Sequence, residues 1–469
     1  MTNLLSNLPS LSSSSSSPPS PSSQPSPLLS PPPLPRPLVN ELLQTYGSPL
    51  YVYQASHLHK TLRHIEQSVP YPSTTFHFAA VTNGNVALLQ QICAAGWGLH
   101  ANTPGDIYLG LQAGFSPQKI IYSGSNLSIP DMKQALDWGV RTFNLDSVQQ
   151  VQQLAALYQC REHYQNHSQN HSQNQPQNHQ QSETTETTLK LGLRLNLPEV
   201  TGGSRIGVRP EDFDTAQSIA QSAGLTISGL HFYRGTGTNA TRSFTQAMAP
   251  VLAAAQQLPD WQYLDFGGGF GYGYRPGGVA FDWPTFGEAI TQQISQLEVN
   301  QPIVNQLSQK QRNRPIQLII EPGRAAIAGC ATLLTEVVSV KWQGDRQIIG
   351  VDTTVANLSV PAVHGGYRTI TTWANDDEEL FPSDVCGNTT YSRDYLGRNC
   401  QLPALKPGDH LAVLDVGAYG YAMSSHFLHR PRPAEVLLEA NVETNVDTNT
   451  HRLIRQREDY SVLLAQQVF

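Results

Sequence analysis

From about Thr75 onward, short apolar and β-branched runs alternate with stretches whose apolar positions recur every three to four residues. Residues 76–80 read as a strand, after which Val86, Leu89, Ile92 and Cys93 share one face of a helix that stops before Gly96. A second strand is predicted over 98–101, with a helix closing at Gly114, and a third over 119–122. Ser128, Pro130 and Asp131 then supply the N-terminal signals of another helix. Strands over 142–145, 191–195, 226–231, 263–266 and 316–320 continue the series. Eight strands separated by helical patterns over about 250 residues predict a (β/α)8 barrel. After Ala331 the texture changes: strands over 334–341, 347–351, 410–414, 434–440 and 451–457 are joined by turn-rich segments, so a β-rich C-terminal domain is expected over 331–469. The strand-like stretch 49–53 could join either unit.

Two stretches break the pattern. Eleven of the 33 prolines fall before Leu38, interleaved with serines, and residues 1–38 are expected to be a disordered tail. Residues 162–188 are almost entirely Gln, Asn, His, Ser, Thr and Glu, and are expected to form a looping insertion within the barrel domain, 39–330. His163, His167 and His171 recur every fourth residue there, but their polar surroundings favour a solvated segment over a metal tract, and no metal is expected. What remains, roughly 400 residues, can bury a sizeable core.

Charge then narrows the classes of function. With 29 Lys+Arg against 36 Asp+Glu, the chain is mildly acidic, which argues against binding nucleic acid or anionic membrane surfaces. No apolar run is long enough for a membrane span, and no basic-then-apolar leader opens the chain. Five scattered cysteines without a CxxC pair fit reduced thiols, so a cytoplasmic enzyme is expected.

Barrel enzymes carry their chemistry on the loops after the strands. Here those loops hold Tyr233-Arg234-Gly235-Thr236 after strand six, Gly267 to Gly271 after strand seven and Glu321-Pro322-Gly323-Arg324 after strand eight. Glycines allow backbone N–H groups close approach to an anion, and an arginine adds a charged fork. A GGGFG run alone can equally be a tight turn. Next to Glu-Pro-Gly-Arg it points to a phosphate-bearing cofactor.

With these residues in view, the sequence resembles the fold-type III pyridoxal-phosphate decarboxylases, diaminopimelate decarboxylase in particular. The resemblance runs from about Gly47 to Glu458, on PLYVY at 49–53, GGGFG at 267–271, EPGR at 321–324, LGR at 396–398, DVGAYG at 415–420 and RPRPAEVLL at 430–438. It implies a barrel plus a β domain, a homodimer with sites at the subunit interface, and a small amino-acid substrate. It also implies that Gly267, Gly268, Gly269, Gly323 and Arg324 hold pyridoxal phosphate, that Glu321 pairs with its pyridine nitrogen, and that Tyr419 reaches the same site. Tyr233 stands where the family has a histidine stacked on the ring. Arg324, His364 and Tyr419 would face the substrate, and Cys386 matches the cysteine that returns a proton after carbon dioxide leaves.

The resemblance fails at one decisive place. The family's Tyr-Ala-x-Lys-Ala-Asn motif, whose lysine forms a Schiff base with the cofactor, is Phe78-Ala79-Ala80-Val81-Thr82-Asn83 here, and Val81 occupies the lysine's position. The nearby Phe-Asp-Val becomes Leu99-His100-Ala101. The carboxylate-binding Arg-Pro-x-Leu-Tyr becomes residues 360–364, Val-Pro-Ala-Val-His, and the acid after the reactive cysteine becomes Gly387. Two readings follow: an amino-acid decarboxylase that holds its cofactor without a covalent bond or through an unexpected lysine, or a cofactor-binding relative without turnover, acting as carrier, regulator or partner subunit.

Overall fold

The computed structural model describes residues 34–171, 189–300, 315–373, 378–441 and 447–468, apart from 236 and 238. Its first strand, β1 (Leu50–Gln54), stands outside the barrel that follows. The barrel consists of β2 (Thr74–Ala79), β3 (Gly98–Ala101), β4 (Ile120–Tyr122), β5 (Thr142–Leu145), β6 (Lys190–Arg194), β7 (Ile227–His231), β8 (Tyr263–Asp265) and β9 (Gln317–Ile320). Neighbours pair in parallel and β9 closes on β2, so the alternation read from the sequence does form a (β/α)8 barrel. Side-chain caps start the outer helices where expected: Asn85 accepts from Ala87 N–H, and Ser128 from Asp131 N–H. Thr103 and Asp106 complete a reciprocal capping box.

The C-terminal unit is a nine-stranded sheet. It contains β10 (Ala331–Gln343), β11 (Arg346–Val351), β12 (Ile370–Thr371), β13 (Leu380–Cys386), β14 (Tyr395–Pro403), β15 (His410–Val413), β16 (Ala434–Ala440) and β17 (Asp447–Arg455). The open question of 49–53 resolves here: β1 lies between β10 and β16 in this sheet, antiparallel to the first and parallel to the second.

Two expectations shift at their edges. Leu34 is buried and a helix spans Arg36–Tyr46, so folded structure begins before the expected end of the tail at 38. The helix Val148–His171 runs on into the polar stretch expected to loop from 162, because Gln, Glu and His tolerate a helix once it is nucleated. Residues 172–188, and the side chains of His163, His167 and His171, lie outside the described residues.

Barrel and sheet meet around Glu435, which is wholly buried. Tyr53 Oη donates to it at 2.6 Å, Asn85 Nδ2 at 2.8 Å, and Arg455 pairs with it from β17. Asn83 Nδ2 donates to Gly417 O, and Tyr419 N–H to Thr82 O at 2.9 Å. The loop after β2, which contains Val81, is therefore held from both units.

Candidate active site

The barrel's register brings several polar residues side by side at the C-terminal strand ends. Arg194 pairs with His231 across β6 and β7, and His231 with Asp265 across β7 and β8. Asn144 Nδ2 donates to Asp265 Oδ2 at 2.8 Å, and Gly267 N–H to Oδ1 at 3.0 Å. Glu321, immediately after β9, faces two histidines: its Oε2 lies 3.5 Å from His100 Nε2 and 3.4 Å from His231 Nε2. The imidazoles are near-parallel, with centroids 6.3 Å apart.

Burial governs the protonation of this cluster. It lifts Glu321 to about 7, against the opposing pull of Asp265 and Arg194. It also drives His231 down to about 4 and His100 well below its ordinary value, so both rings are neutral at pH 7. Asp265 is raised by burial and by the neighbouring Glu321 carboxyl.

A second group lies beside it. Gly267 and Gly269 have φ of +66° and +94°, and a Cβ on either would stand 2.0 Å from Phe232 O or 2.2 Å from Gly235 O. Gly268 faces Glu321 O in the same way at 2.7 Å. Phe266 and Phe270, which flank the three glycines, are anchored in an aromatic cluster with Phe244, Phe281, Trp283 and Phe286, with Phe244 and Phe270 centroids 4.8 Å apart. Arg324 donates from Nη1 to Tyr274 Oη at 3.1 Å and lies 4.8 Å from the Tyr419 ring. Gly237 leaves space for it, since a Cβ there would stand 2.8 Å from Arg324 Nε. Gly323 likewise packs against Thr82 and Ala79, joining this loop to the one that carries Val81. Tyr233 is half-buried beneath the Arg194 guanidinium. Glu321, Gly267 to Gly269, Gly323, Arg324, Tyr233 and Tyr419 thus come together.

Val81 sits in the short turn after β2 with 45% of its surface exposed. Lysines are seven in number, and six are described. Lys119 directly precedes β4 and Lys190 starts β6, at the opposite end of the barrel, Lys60 and Lys133 lie on outer helices, and Lys341 and Lys406 are in the C-terminal unit. None of the six is at the C-terminal end of a barrel strand; Lys310 lies outside the described residues.

His364 and Cys386 stand apart from this cluster. His364 is exposed at the end of the helix Val360–His364. Cys386 ends β13, half-buried, paired in register with Gly350 and Tyr395, and burial together with Asp384 and Asp394 pushes its thiol up to about 11. Sequence reasoning missed His231, Asp265, Arg194 and Arg368. The first three were signalled only by polar residues ending apolar strands. Arg368, 3% exposed, lies 3.8 Å from the Tyr274 ring, and its Nε and Nη2 have no hydrogen-bond partner among the described residues.

Residues 55–328 match the family described as pyridoxal-dependent decarboxylase, pyridoxal binding domain. The chain belongs to this family. It is 31% identical over 437 residues to a diaminopimelate decarboxylase of Methanothermobacter thermautotrophicus, covering 91% of this chain and 93% of that one. A diaminopimelate decarboxylase of Aquifex aeolicus is 26% identical, with 91% and 93% covered. Among solved structures, diaminopimelate decarboxylase from M. jannaschii in complex with L-lysine shares the fold, with a TM-score of 0.78 at 20% identity over 92% of this chain and 94% of that chain. For a pyridoxal-dependent decarboxylase, the site divides in two. The glycine cradle with Arg324 suits a phosphate, and the carboxyl of Glu321, 2% exposed beside two neutral imidazoles, suits a pyridine nitrogen. Position 81, in the turn after β2, carries no amine.

Proposed function

We propose that the protein binds pyridoxal phosphate without a covalent bond, in a site of the diaminopimelate decarboxylase type. What supports this reading is the glycine loop and Arg324 beside the buried Glu321, together with a valine in the turn after β2, where the family resemblance puts the attachment lysine. Gly267, Gly268, Gly269, Gly323 and Arg324 would hold the phosphate, Glu321 the pyridine nitrogen, and Tyr233 a ring face. Bound there, the cofactor supplies an electron sink for bond cleavage at the α-carbon of an amino acid. The chain's own residues bind and orient it: Arg324, braced by Tyr274 and Tyr419, fixes the charged end, and the buried strand ends exclude water.

The substrate class is a small amino acid, with Arg324 and Tyr419 nearest to receive its carboxylate and His364 placed to act only from elsewhere in an assembly. A homodimer supplies that assembly, with Cys386 entering the partner's site as the proton donor, and the cytoplasm is its compartment. Val81, Val360 and Gly387 favour a second reading, in which the protein binds cofactor and does not turn over diaminopimelate, serving as carrier, regulator or partner subunit. Each lost charged contact would remove on the order of 2–5 kcal/mol of recognition.

The test adds pyridoxal phosphate to purified protein, reduces it with borohydride and assays carbon dioxide release from diaminopimelate, ornithine, arginine and lysine. Saturable binding that borohydride does not fix to the chain is the expected result. A fixed label would overturn noncovalent binding, and no binding would overturn the cofactor assignment. Carbon dioxide release separates decarboxylase from binder.

A further inference from the structure

Two imidazole nitrogens and a carboxylate converge inside the barrel with few other partners. His100, His231 and Glu321 are 6%, 1% and 2% exposed, and their donor atoms all lie within 4.8 Å of one another. Among the described residues, neither ring nitrogen of His100 has a hydrogen bond, nor does His231 Nδ1. Leaving such groups unpaired in a buried site is costly, and a shared cation removes that cost at one stroke. Two of the three edges have the spacing of one. Tetrahedral zinc with bonds of about 2.0–2.1 Å sets neighbouring ligand atoms about 3.3–3.4 Å apart, and the two edges to Glu321 Oε2 measure 3.4 and 3.5 Å.

The geometry points to a binding site for one divalent transition-metal ion of the zinc type, held by His100 Nε2, His231 Nε2 and Glu321. Two imidazoles and one carboxylate suit zinc, cobalt or nickel and disfavour magnesium or calcium, which take mainly oxygen ligands. His100 and His231 come from β3 and β7, and Glu321 directly follows β9 with its N–H bonded to Gly267 O at 2.8 Å, so the barrel strands and this bond set their spacing. Three protein ligands leave a fourth position for water or a ligand carboxylate. The site does not rest on cofactor binding, although both would use Glu321.

The full-length protein is stripped with chelator and titrated with Co2+, following the visible d–d bands of four-coordinate cobalt, with zinc content measured after gel filtration. About one equivalent per chain is expected, as for a three-ligand site. His100→Asn and His231→Asn should each weaken binding by more than about 100-fold, since losing even an outer-shell partner costs 10- to 100-fold. His100→Cys, which supplies a thiolate instead, should retain it, and circular dichroism verifies folding of every variant. A His163→Asn/His167→Asn/His171→Asn variant should leave this binding intact. The proposal is overturned if folded wild-type protein retains no Co2+ or Zn2+, or if binding survives in His100→Asn/His231→Asn and vanishes in the triple variant. Arg324→Gln separates it from the cofactor reading: pyridoxal phosphate affinity should fall while metal affinity holds. A parallel fall in metal affinity would overturn the independent site.

Discussion

At position 81, where the proposed reading places the cofactor's attachment point, stands a β-branched side chain, on a turn fixed by Tyr419 N–H to Thr82 O and by Gly323 packed against Thr82. Because the turn is held from both sides, Val81→Lys should restore attachment without rebuilding the loop. Its expected signature is a borohydride-stable pyridoxal label on residue 81 that wild-type protein lacks, read by peptide mass spectrometry. An unlabelled but folded, cofactor-binding variant would show that position 81 does not face the aldehyde. Arg324→Gln tests the other end of the site: losing a charged hydrogen bond of about 1.5–3 kcal/mol should weaken pyridoxal phosphate binding by about 10- to 150-fold. Glu321 and Arg324 were legible because they fall in a motif directly after a strand. His231 and Asp265 were not, because a lone polar residue ending an apolar strand looks the same whether it is a satisfied core residue or part of a site. Only the register across β6, β7 and β8 shows which it is.

At the scale of elements, the loop after β8 gains its form from both its glycines and the aromatic rings on either side. Gly269→Ala would place a Cβ 2.2 Å from Gly235 O at a φ of +94°. The expected outcome is a loss of about 2–4 kcal/mol in stability together with lost cofactor binding, checked by urea unfolding and absorbance titration. Unchanged binding would mean that the loop can move aside, despite the packing of Phe266 and Phe270. The barrel strands were legible because each is a short apolar run bounded by helical periodicity. β13 and β14 were not, since Pro382, Asp384, Arg398 and Asn399 interrupt any alternation, and pairing along the sheet defines these strands instead. β1 was ambiguous for another reason: buried on both faces, it carries no alternation to say which sheet it joins.

At the scale of the whole molecule, the chain end after β17 returns to the segment leading into β16. Arg432 donates from Nε to Glu458 Oε1 at 2.8 Å and from its backbone N–H to Oε2 at 2.9 Å, and His426 Nε2 lies 2.7 Å from Oε2. Burial alone would raise the Glu458 carboxyl, but the bonds from Arg432 and His426 outweigh it and hold the group down to about 2. Its folded value therefore lies below the unfolded 4.5. A depressed carboxylate contributes stability above its unfolded value and loses it as pH falls toward the folded one. Glu458→Gln should thus cost about 1–2 kcal/mol at pH 7, the lower part of the charged hydrogen-bond range because the pair is partly solvated. Urea titrations of both proteins should show that difference steady from pH 7 to about 5 and shrinking between about 4.5 and 2, the window set by the two values. A difference that stays constant across that window would mean the substitution acts through packing of the chain end and not through the charge of Glu458.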